Sequence, residues 1–261
     1  MAKLASKSLN AAPTYFHKWL GELQKQGTLL RVYTQNVDGL EMKTGLDTYP
    51  NLQAGSISPP TSSVRCVSLH GSLLRLRCML CSTTFFTETY IDVLRQGVFP
   101  HCNSCNRACE KRKLEGKRPL VVPVVRPDIV LYGETFHPAA EKITMIANQD
   151  INTVDLLLVV GTSLRIPGTK DIVHNFSKRL REKAAEGGNN MRSIFINTEK
   201  FGDPARLEKY FDAWVEGDCQ QFALMVGETK EGAPEGTSVA ENGAKDYALA
   251  RQDSRPLWRY Y

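Results

Sequence analysis

Residues 154–163 read Val-Asp-Leu-Leu-Leu-Val-Val-Gly-Thr-Ser, a nearly continuous aliphatic run that ends in a turn of small and hydroxyl-bearing residues. Such a run is typical of a strand buried on both faces of a parallel sheet. A helical pattern follows at 169–186 and stops at Gly187-Gly188, and a second apolar strand is predicted at 192–197. Strand, helix and strand in this order predict a right-handed βαβ unit of the nucleotide-binding kind.

The N-terminal half contains further patterns that fit an α/β fold. Residues 12–27 have the apolar spacing of an amphipathic helix, with Thr14 placed to cap it. A second helical spacing covers residues 137–148, and residues 49–63, rich in Pro, Gly and Ser, predict an irregular insertion. Short apolar runs predict three strands, at residues 29–34, 64–69 and 128–131.

Four cysteines form two Cys-x-x-Cys pairs, Cys78 with Cys81 and Cys102 with Cys105. Each pair presents two thiolates to one side, and two pairs complete a tetrahedron around a zinc ion at about 2.3 Å. Because four protein ligands leave no position for water, we predict a structural rather than a catalytic ion. Cys109 follows Cys105 by four residues. It is either a competing ligand or a spare surface thiol.

Composition and charge restrict the cellular compartment and the kinds of partner that we expect for this protein. Two disulfides are the alternative for the cysteine pairs, but residues 1–7 lack the apolar core of a signal peptide, so we expect a reducing compartment. The longest apolar run, residues 156–160, is far shorter than the roughly 20 residues of a membrane-spanning helix. A formal charge of +5 over 261 residues permits an acidic partner or a basic peptide tail without demanding nucleic acid. The polar residues 227–261 predict a flexible tail.

Polar residues follow the predicted strands, where ligands bind in open parallel sheets. They are Gln35, Asn36 and Asp38 after the first strand, Gly161, Thr162 and Ser163 after the aliphatic run, and Asn197 after the next. Amides, hydroxyls and one carboxylate suit a cofactor with riboses, an amide and phosphates, although the Gly-Thr-Ser turn and Asn197 also suit plain caps. His70 follows another predicted strand. It is either a general base working near neutral pH or a hydrogen-bonded structural histidine.

Taken together, these residues resemble a known family, the sirtuins, which are NAD-dependent protein deacylases. The ordered motifs, over residues 12–226, are Thr-Gln-Asn-Val-Asp-Gly-Leu-Glu at 34–41, Leu-His-Gly at 69–71, the two cysteine pairs, Pro-Asp-Ile-Val-Leu-Tyr-Gly-Glu at 127–134, Gly-Thr-Ser-Leu at 161–164 and Gly-Asp-Cys at 217–219. The insertion and the Leu-Tyr-Gly-Glu segment most resemble the fungal, histone-directed branch.

The resemblance implies a Rossmann-like parallel sheet with a small four-cysteine zinc module. The NAD-binding domain would comprise residues 1–68 and 119–226, and the zinc module residues 69–118. The implied reaction is NAD-dependent deacetylation of acetyl-lysine in proteins, histones above all, giving nicotinamide and O-acetyl-ADP-ribose. The resemblance also implies location in the nucleus, without a membrane or direct nucleic-acid partner.

The resemblance assigns roles to individual residues. His70 would be the general base, with Asn36 beside it in the catalytic site. The cofactor-binding set would be Gln35, Asn36 and Asp38 around nicotinamide and ribose, Gly161, Thr162 and Ser163 at phosphate or ribose, and Asn197 and Cys219 at the adenosine. The substrate backbone would pair with the segment Ile129, Val130, Leu131, Tyr132, Gly133 and Glu134.

One departure from the family pattern concerns the cofactor phosphates. The Gly-Ala-Gly-x-Ser turn and the Asp-Phe-Arg loop of sirtuins do not occur in this sequence. We therefore expect an incomplete sheet that lacks its first, central strand and exposes two unpaired edges. The sequence is then an incomplete version of a longer sirtuin, or a short chain that binds NAD poorly. A non-enzymatic zinc-containing module, binding a basic peptide tail or contacting nucleic acid through basic residues 107–118, is the alternative function.

We predict that the 261-residue chain on its own is inactive or nearly so, because no glycine-rich turn is present to hold the cofactor phosphates. The measurement is nicotinamide release by the purified chain given NAD and an acetylated peptide. Substantial release would contradict the prediction.

Overall fold

The computed structural model describes residues 1–49, 64–131, 134, 139–187, 192–199 and 208–228. The chain divides into two compact units, unit 1 at Met1–Asn148 and unit 2 beginning at Gln149. The proposed separation of residues 69–118 as a zinc module stays a prediction. Most of the predicted insertion, residues 50–63, and of the predicted tail, residues 229–261, lies outside the described residues.

Seven α-helices and nine strands have both ends within the described residues, and residues 208–210 are also helical. The helices are α1 (Ala2–Asn10), α2 (Tyr15–Lys25), α3 (Ile91–Arg95), α4 (Asn103–Leu114), α5 (Ala140–Asp150), α6 (Pro167–Gly187) and α7 (Cys219–Glu228). The strands are β1 (Val32–Thr34), β2 (Thr48–Tyr49), β3 (Cys66–Ser68), β4 (Gly71–Cys78), β5 (Thr84–Phe86), β6 (Val125–Ile129), β7 (Leu157–Val160), β8 (Ser193–Asn197) and β9 (Ala213–Glu216).

Unit 1 begins with two helices, of which only the second was predicted. In α2, Thr14 and His17 form a reciprocal capping box that fixes the first turn. The unpredicted α1 is held by Lys43, whose ammonium group lies at the negative end of the helix dipole. Its acceptors are the backbone carbonyls of Ser8, Leu9 and Ala11, at 2.7–3.0 Å.

A parallel sheet of three strands in the order β1-β3-β2 forms the first layer of unit 1. Strands β1 and β3 confirm the predicted ones in shorter form. Tyr49, expected to open an irregular insertion, instead ends strand β2 and is buried. Its ring packs with Val67 and with Ile143 and Ile146 of α5, so this helix covers the sheet.

The second sheet of unit 1 is antiparallel, in the order β5-β4-β6. The register between β4 and β6 shifts between Ser72 and Leu76, which indicates a bulge in β4. The guanidinium groups of Arg75 and Arg77 converge there on the carboxylate of Asp128 in β6, with Arg75 Nε at 3.1 Å and Arg77 Nη2 at 2.9 Å from Oδ2. The Asp128 side chain is only 2% exposed, so β6 is held on β4 by a buried ionic network.

Unit 2 is a parallel sheet in the order β7-β8-β9, with α6 between the first two strands. Parallel pairing of β7 with β8 confirms the predicted strand, helix and strand. Buried Val159, Phe195 and Trp214, one from each strand, share a single apolar cluster. The sequence patterns did not indicate β9 or α7. Within the described ranges, no helix combines the length and apolar composition that crossing a membrane requires.

The carboxylate of Asp212 joins the starts of β8 and β9. Its Oδ2 accepts hydrogen bonds from the backbone of Arg192 at 2.9 Å and from the backbone and hydroxyl of Ser193 at 2.8 Å. Burial alone would raise the pKa of Asp212, but these bonds and the nearby Arg181 guanidinium lower it below its ordinary value. Folding therefore favours the ionised carboxylate.

We expect Asp212→Asn to destabilise the protein by about 1–3 kcal/mol near neutral pH, because a charge-assisted acceptor is lost. The folded pKa of Asp212 is depressed. The wild-type advantage is thus complete above the unfolded pKa and disappears as the pH falls through the lower folded value. Urea unfolding of both proteins at pH 6 and below pH 3 measures this; Asp92→Asn, at a carboxylate that is 81% exposed, is the control. If the loss of unfolding free energy in Asp212→Asn does not change with pH, folding does not stabilise the ionised form of Asp212, and the prediction is wrong.

Candidate active site and zinc centre

The loop after β1 carries the predicted residues Gln35, Asn36 and Asp38, and it runs beside the β3–β4 junction. The Leu69 amide donates to the Thr34 carbonyl at 2.9 Å, and the Leu73 amide donates to the Val37 carbonyl at 2.8 Å. These bonds hold the loop at both ends. Asn36 is exposed, whereas Gln35 and Asp38 are partly buried.

The side chains of this loop also stabilise its turns. The Asn36 amide donates to Thr34 Oγ1 at 3.1 Å, and Asp38 Oδ1 accepts from the Leu40 amide at 3.2 Å. Gly39 adopts a φ of +70°, which a residue with a side chain rarely adopts. The polar groups of the loop therefore have a defined backbone framework.

His70 lies at the β3–β4 junction, partly exposed, with its ring turned to this loop. Its Nδ1 lies 3.2 Å from the backbone carbonyl oxygen of Gln35. Since a carbonyl only accepts, Nδ1 carries the hydrogen in this bond, and in the neutral ring Nε2 is then the basic nitrogen. One backbone contact thus orients the imidazole and selects its tautomer.

Glycine at position 71 lets β4 pass very close to β6 beside His70. Gly71 has a φ of +82°, and a Cβ at this position would lie 2.0 Å from the Asp128 carbonyl oxygen. The close approach brings the His70 carbonyl within 3.1 Å of the Val130 amide, which donates to it. His70 is therefore bonded both to the loop after β1 and to the predicted substrate segment.

The predicted substrate segment begins at the edge of the antiparallel sheet. Among the described strands, β6 pairs with β4 on one side only. Ile129 and Val130 are partly exposed and Leu131 is 42% exposed, so an added strand could pair there. Tyr132 and Gly133 lie outside the described residues.

Glu134, the last residue of the segment, is held by a residue that the sequence patterns did not reveal. Arg126 Nη1 lies 2.7 Å from Glu134 Oε1, and Arg126 Nη2 donates to Oε2 at 2.9 Å. No local motif marks Arg126; only the paired geometry of the two side chains identifies it.

In unit 2, the polar residues predicted after β7 and β8 lie together at the carboxyl ends of these strands. Asn197 Nδ2 donates to the Thr162 carbonyl at 3.3 Å, and Thr162 Oγ1 accepts from the Leu164 amide at 3.2 Å. Gly161, with a φ of +63°, and Ser163 are exposed. Hydroxyl, amide and backbone groups thus surround the turn where a parallel sheet binds ribose or phosphate.

Cys219 begins α7, next to the turn after β9. Asp218 Oδ1 accepts from the Gln220 amide at 2.7 Å and so caps this helix. Burial, and then the negative charge of Asp218, raises the pKa of the Cys219 thiol. A neutral thiol suits contact with an uncharged part of a ligand better than nucleophilic chemistry.

The four predicted zinc ligands cluster in unit 1. The Sγ atoms of Cys78, Cys81, Cys102 and Cys105 all lie within 4.8 Å of one another. Cys78 Sγ is 3.8 Å from Cys105 Sγ, and Cys81 Sγ is 3.6 Å from Cys102 Sγ. Sulfurs placed tetrahedrally at about 2.3 Å from zinc are about 3.8 Å apart, so the cluster fits one structural zinc ion.

Backbone amides support the cluster, since the Cys81 amide donates to Cys78 Sγ and the Cys105 amide donates to Cys102 Sγ, each at 3.5 Å. Cys109 is not part of the cluster. The expectation of a surface thiol was wrong, because Cys109 is 4% exposed and its thiol donates to the Leu120 carbonyl at 3.2 Å.

Comparison with known proteins identifies the family. The model of the Sir2 family matches residues 1–167. The chain belongs to the Sir2 family. Solved Sir2 structures share its fold: one described as Sir2-p53 peptide-NAD+ aligns with a TM-score of 0.59 at 22% identity, covering 85% of this chain and 72% of that one. This confirms the expected Rossmann-like α/β fold.

The most similar relatives of this Sir2-family chain include fungal proteins, which confirms the resemblance to the fungal branch. It is 35% identical over 233 residues to the NAD-dependent histone deacetylase HST3 of Candida albicans, and 38% identical over 233 residues to HST3 of Saccharomyces cerevisiae. These alignments cover 87% of this chain but 46% and 50% of those proteins. The chain therefore spans about half the length of the curated relatives it matches.

We expect Cys78→Ser to lose the bound zinc and to unfold or precipitate, because Cys78 ends β4 and closes the metal site. Cys109→Ser is the matched control: it changes a buried cysteine outside the cluster, and its hydroxyl can still donate to Leu120. Metal analysis and thermal unfolding of both variants check this. Loss of one zinc per chain in Cys109→Ser, or its retention in Cys78→Ser, would contradict the ligand set.

Proposed function

We propose that this protein catalyses NAD-dependent removal of acetyl groups from lysine side chains of proteins, with histone tails as the main substrates. The products are nicotinamide and O-acetyl-ADP-ribose. The proposal is carried by one observation: His70 bonds through its ring to the Gln35 carbonyl and through its backbone to Val130. A basic nitrogen thus stands where a loop of polar groups and an open strand edge meet.

Each unit, taken by itself, contains residues that fit part of a dinucleotide. In unit 1, the amides of Gln35 and Asn36 and the carboxylate of Asp38 suit the nicotinamide and its ribose. In unit 2, the exposed turn at residues 161–163 and Asn197 suit ribose or phosphate, and Cys219 suits the adenosine. When bound, NAD would supply an electrophilic ribose carbon, nicotinamide as its leaving group, and a neighbouring ribose hydroxyl.

In the proposed reaction, His70 accepts a proton at Nε2. Its Nδ1 hydrogen stays bonded to the Gln35 carbonyl, so the ring neither rotates nor changes tautomer when the ribose hydroxyl approaches. Asn36 and Asp38 orient the carboxamide and ribose next to it. A pocket of neutral amides with one carboxylate also shields the positive charge that develops in the reaction from water.

The substrate enters, in this proposal, as an extra strand beside Ile129–Leu131. An extended peptide gains backbone hydrogen bonds at this edge, and its acetyl-lysine points toward His70, whose carbonyl is bonded to Val130. Histone substrates and action in the nucleus are supported by the relatives HST3 and HST4, which are named histone deacetylases.

The zinc ion serves as a structural brace in this proposal. Four cysteine sulfurs within 4.8 Å of one another leave no coordination position for water or substrate. The proton transfer therefore falls to His70, and the zinc holds the end of β4 and the start of α4.

We expect His70→Ala to lower deacetylation by at least about 100-fold, because a general base contributes roughly 10²–10⁴ in rate. The assay measures nicotinamide and O-acetyl-ADP-ribose from NAD and an acetylated histone peptide. The assayed protein is expressed from the native gene, in which only the codon for His70 has been changed. Zinc content and thermal unfolding should match the wild type.

His101→Ala is the matched control, because Nδ1 of His101 also contacts a backbone carbonyl, that of Val122, at 3.1 Å, outside the proposed site. This variant should keep full activity. Retained deacetylation in His70→Ala would remove His70 from the catalytic site, and an equal loss in both variants would show that folding, not chemistry, was affected.

A further inference from the structure

A chain of side-chain contacts connects the zinc centre to the proposed substrate segment. Arg126 lies in its middle: Nε donates to Met79 Sδ at 3.2 Å, and the two terminal nitrogens bind Glu134 at 2.7 and 2.9 Å. Met79 stands between the zinc ligands Cys78 and Cys81. We call these contacts the Met79–Arg126–Glu134 bridge.

On the zinc side, the metal site fixes the backbone around Met79. Cys78 and Cys81 flank this residue, and the Cys81 amide donates to Cys78 Sγ. Met79 is 55% exposed, so its side chain is not held by burial in the core. A thioether is a weak acceptor. Its contact with Arg126 nevertheless links the guanidinium to the backbone between two zinc ligands.

On the substrate side, Glu134 makes two hydrogen bonds with Leu131. Glu134 Oε2 accepts from the Leu131 amide at 3.0 Å, and the Glu134 amide donates to the Leu131 carbonyl at 3.0 Å. The carboxylate that Arg126 binds is therefore the same one that fixes the amide of Leu131. Leu131 in turn directly follows Val130, which is bonded to His70.

The Arg126–Glu134 pair differs from ordinary surface ion pairs of this unit. It is bidentate, with side chains 26% and 34% exposed. The pairs Arg95–Asp92 and Lys117–Glu115 are more exposed and join residues two or three positions apart. Bidentate, partly desolvated pairs are the stronger class and constrain geometry more.

We propose that Arg126 is a positioning residue that sets the substrate segment relative to the zinc centre. The substrate role of the segment rests on the proposed function. An edge that receives an extended peptide binds more tightly when its own backbone is already ordered, because less entropy is lost on binding. The zinc centre thus acts on substrate binding through Met79, Arg126 and Glu134, without touching the reacting atoms.

Hydrogen exchange at the Leu131 amide tests the bridge directly. In Arg126→Met, the full chain should exchange this amide at least about 10-fold faster, because the carboxylate that holds it loses its two contacts with Arg126. Met79→Leu keeps an apolar side chain but removes the sulfur acceptor, and should give a smaller increase. Arg95→Met, which breaks a surface pair of the same unit, should leave the Leu131 amide unchanged.

Peptide binding separates a positioning role from a purely structural one. In protein expressed from the native gene, Arg126→Met should weaken binding of an acetyl-lysine histone peptide by about tenfold and raise KM without changing kcat, with zinc content unaltered. The charge-exchange variant Arg126→Glu with Glu134→Arg should recover part of the affinity, because the pair is restored with reversed sign.

The outcomes distinguish the inference from the function on which it rests. Unchanged exchange at Leu131 in Arg126→Met overturns the bridge, and unchanged exchange in Met79→Leu overturns its connection to the zinc centre. Faster exchange with full peptide affinity overturns the positioning role. A wild-type protein that binds no acetylated peptide overturns the proposed function, while the exchange rates still decide whether Arg126 holds Glu134.

Discussion

A single buried carboxylate, that of Asp128, holds strands β4 and β6 together. Both the proposed active site at His70 and the zinc centre depend on this pair of strands. It accepts hydrogen bonds from Arg75 and Arg77 of β4, and all three side chains are at most 12% exposed. Burying such charges is costly, and removing one partner of a buried pair typically costs about 3–5 kcal/mol. Any other register of β6 against β4 would separate the Asp128 carboxylate from the two guanidinium groups. The ionic network therefore fixes the register of β4 and β6 across the bulge.

That register places a histidine and a zinc ligand at opposite ends of β4. His70 directly precedes β4, and Cys78 ends it eight residues later. Because β4 is bulged, β6 covers the distance from the partner of Gly71 to the partner of Cys78 in four residue steps. These two positions therefore lie on the order of 13 Å apart, too far for the metal to act on a group bonded near His70. A closed four-sulfur zinc site and a separate histidine are therefore consistent with the proposed deacetylase mechanism, in which the metal would support structure and the imidazole would accept a proton.

Local patterns predicted much of this arrangement, and their failures have physical causes. Cys-x-x-Cys spacing indicates a metal site because the short turn within each pair places its two sulfurs on the same side. The aliphatic run before Gly161 indicates a buried strand because burial on both faces leaves few polar positions. Helix α1 was missed because its position depends on distant contacts such as those of Lys43. Cys109 was expected at the surface but is buried. No local signal in the sequence shows that its thiol contacts the Leu120 carbonyl.

By itself, the sequence determined the zinc ligands, the βαβ unit of residues 154–197 and the resemblance to the sirtuins, since each depends on short motifs whose own residues are close together along the chain. Only the tertiary structure decided which carbonyl orients His70, which arginines neutralise Asp128 and which residue holds Glu134. The first two contacts join residues 35 and 51–53 positions apart. Across such distances, partners are selected by strand register and burial, and no spacing in the sequence records them.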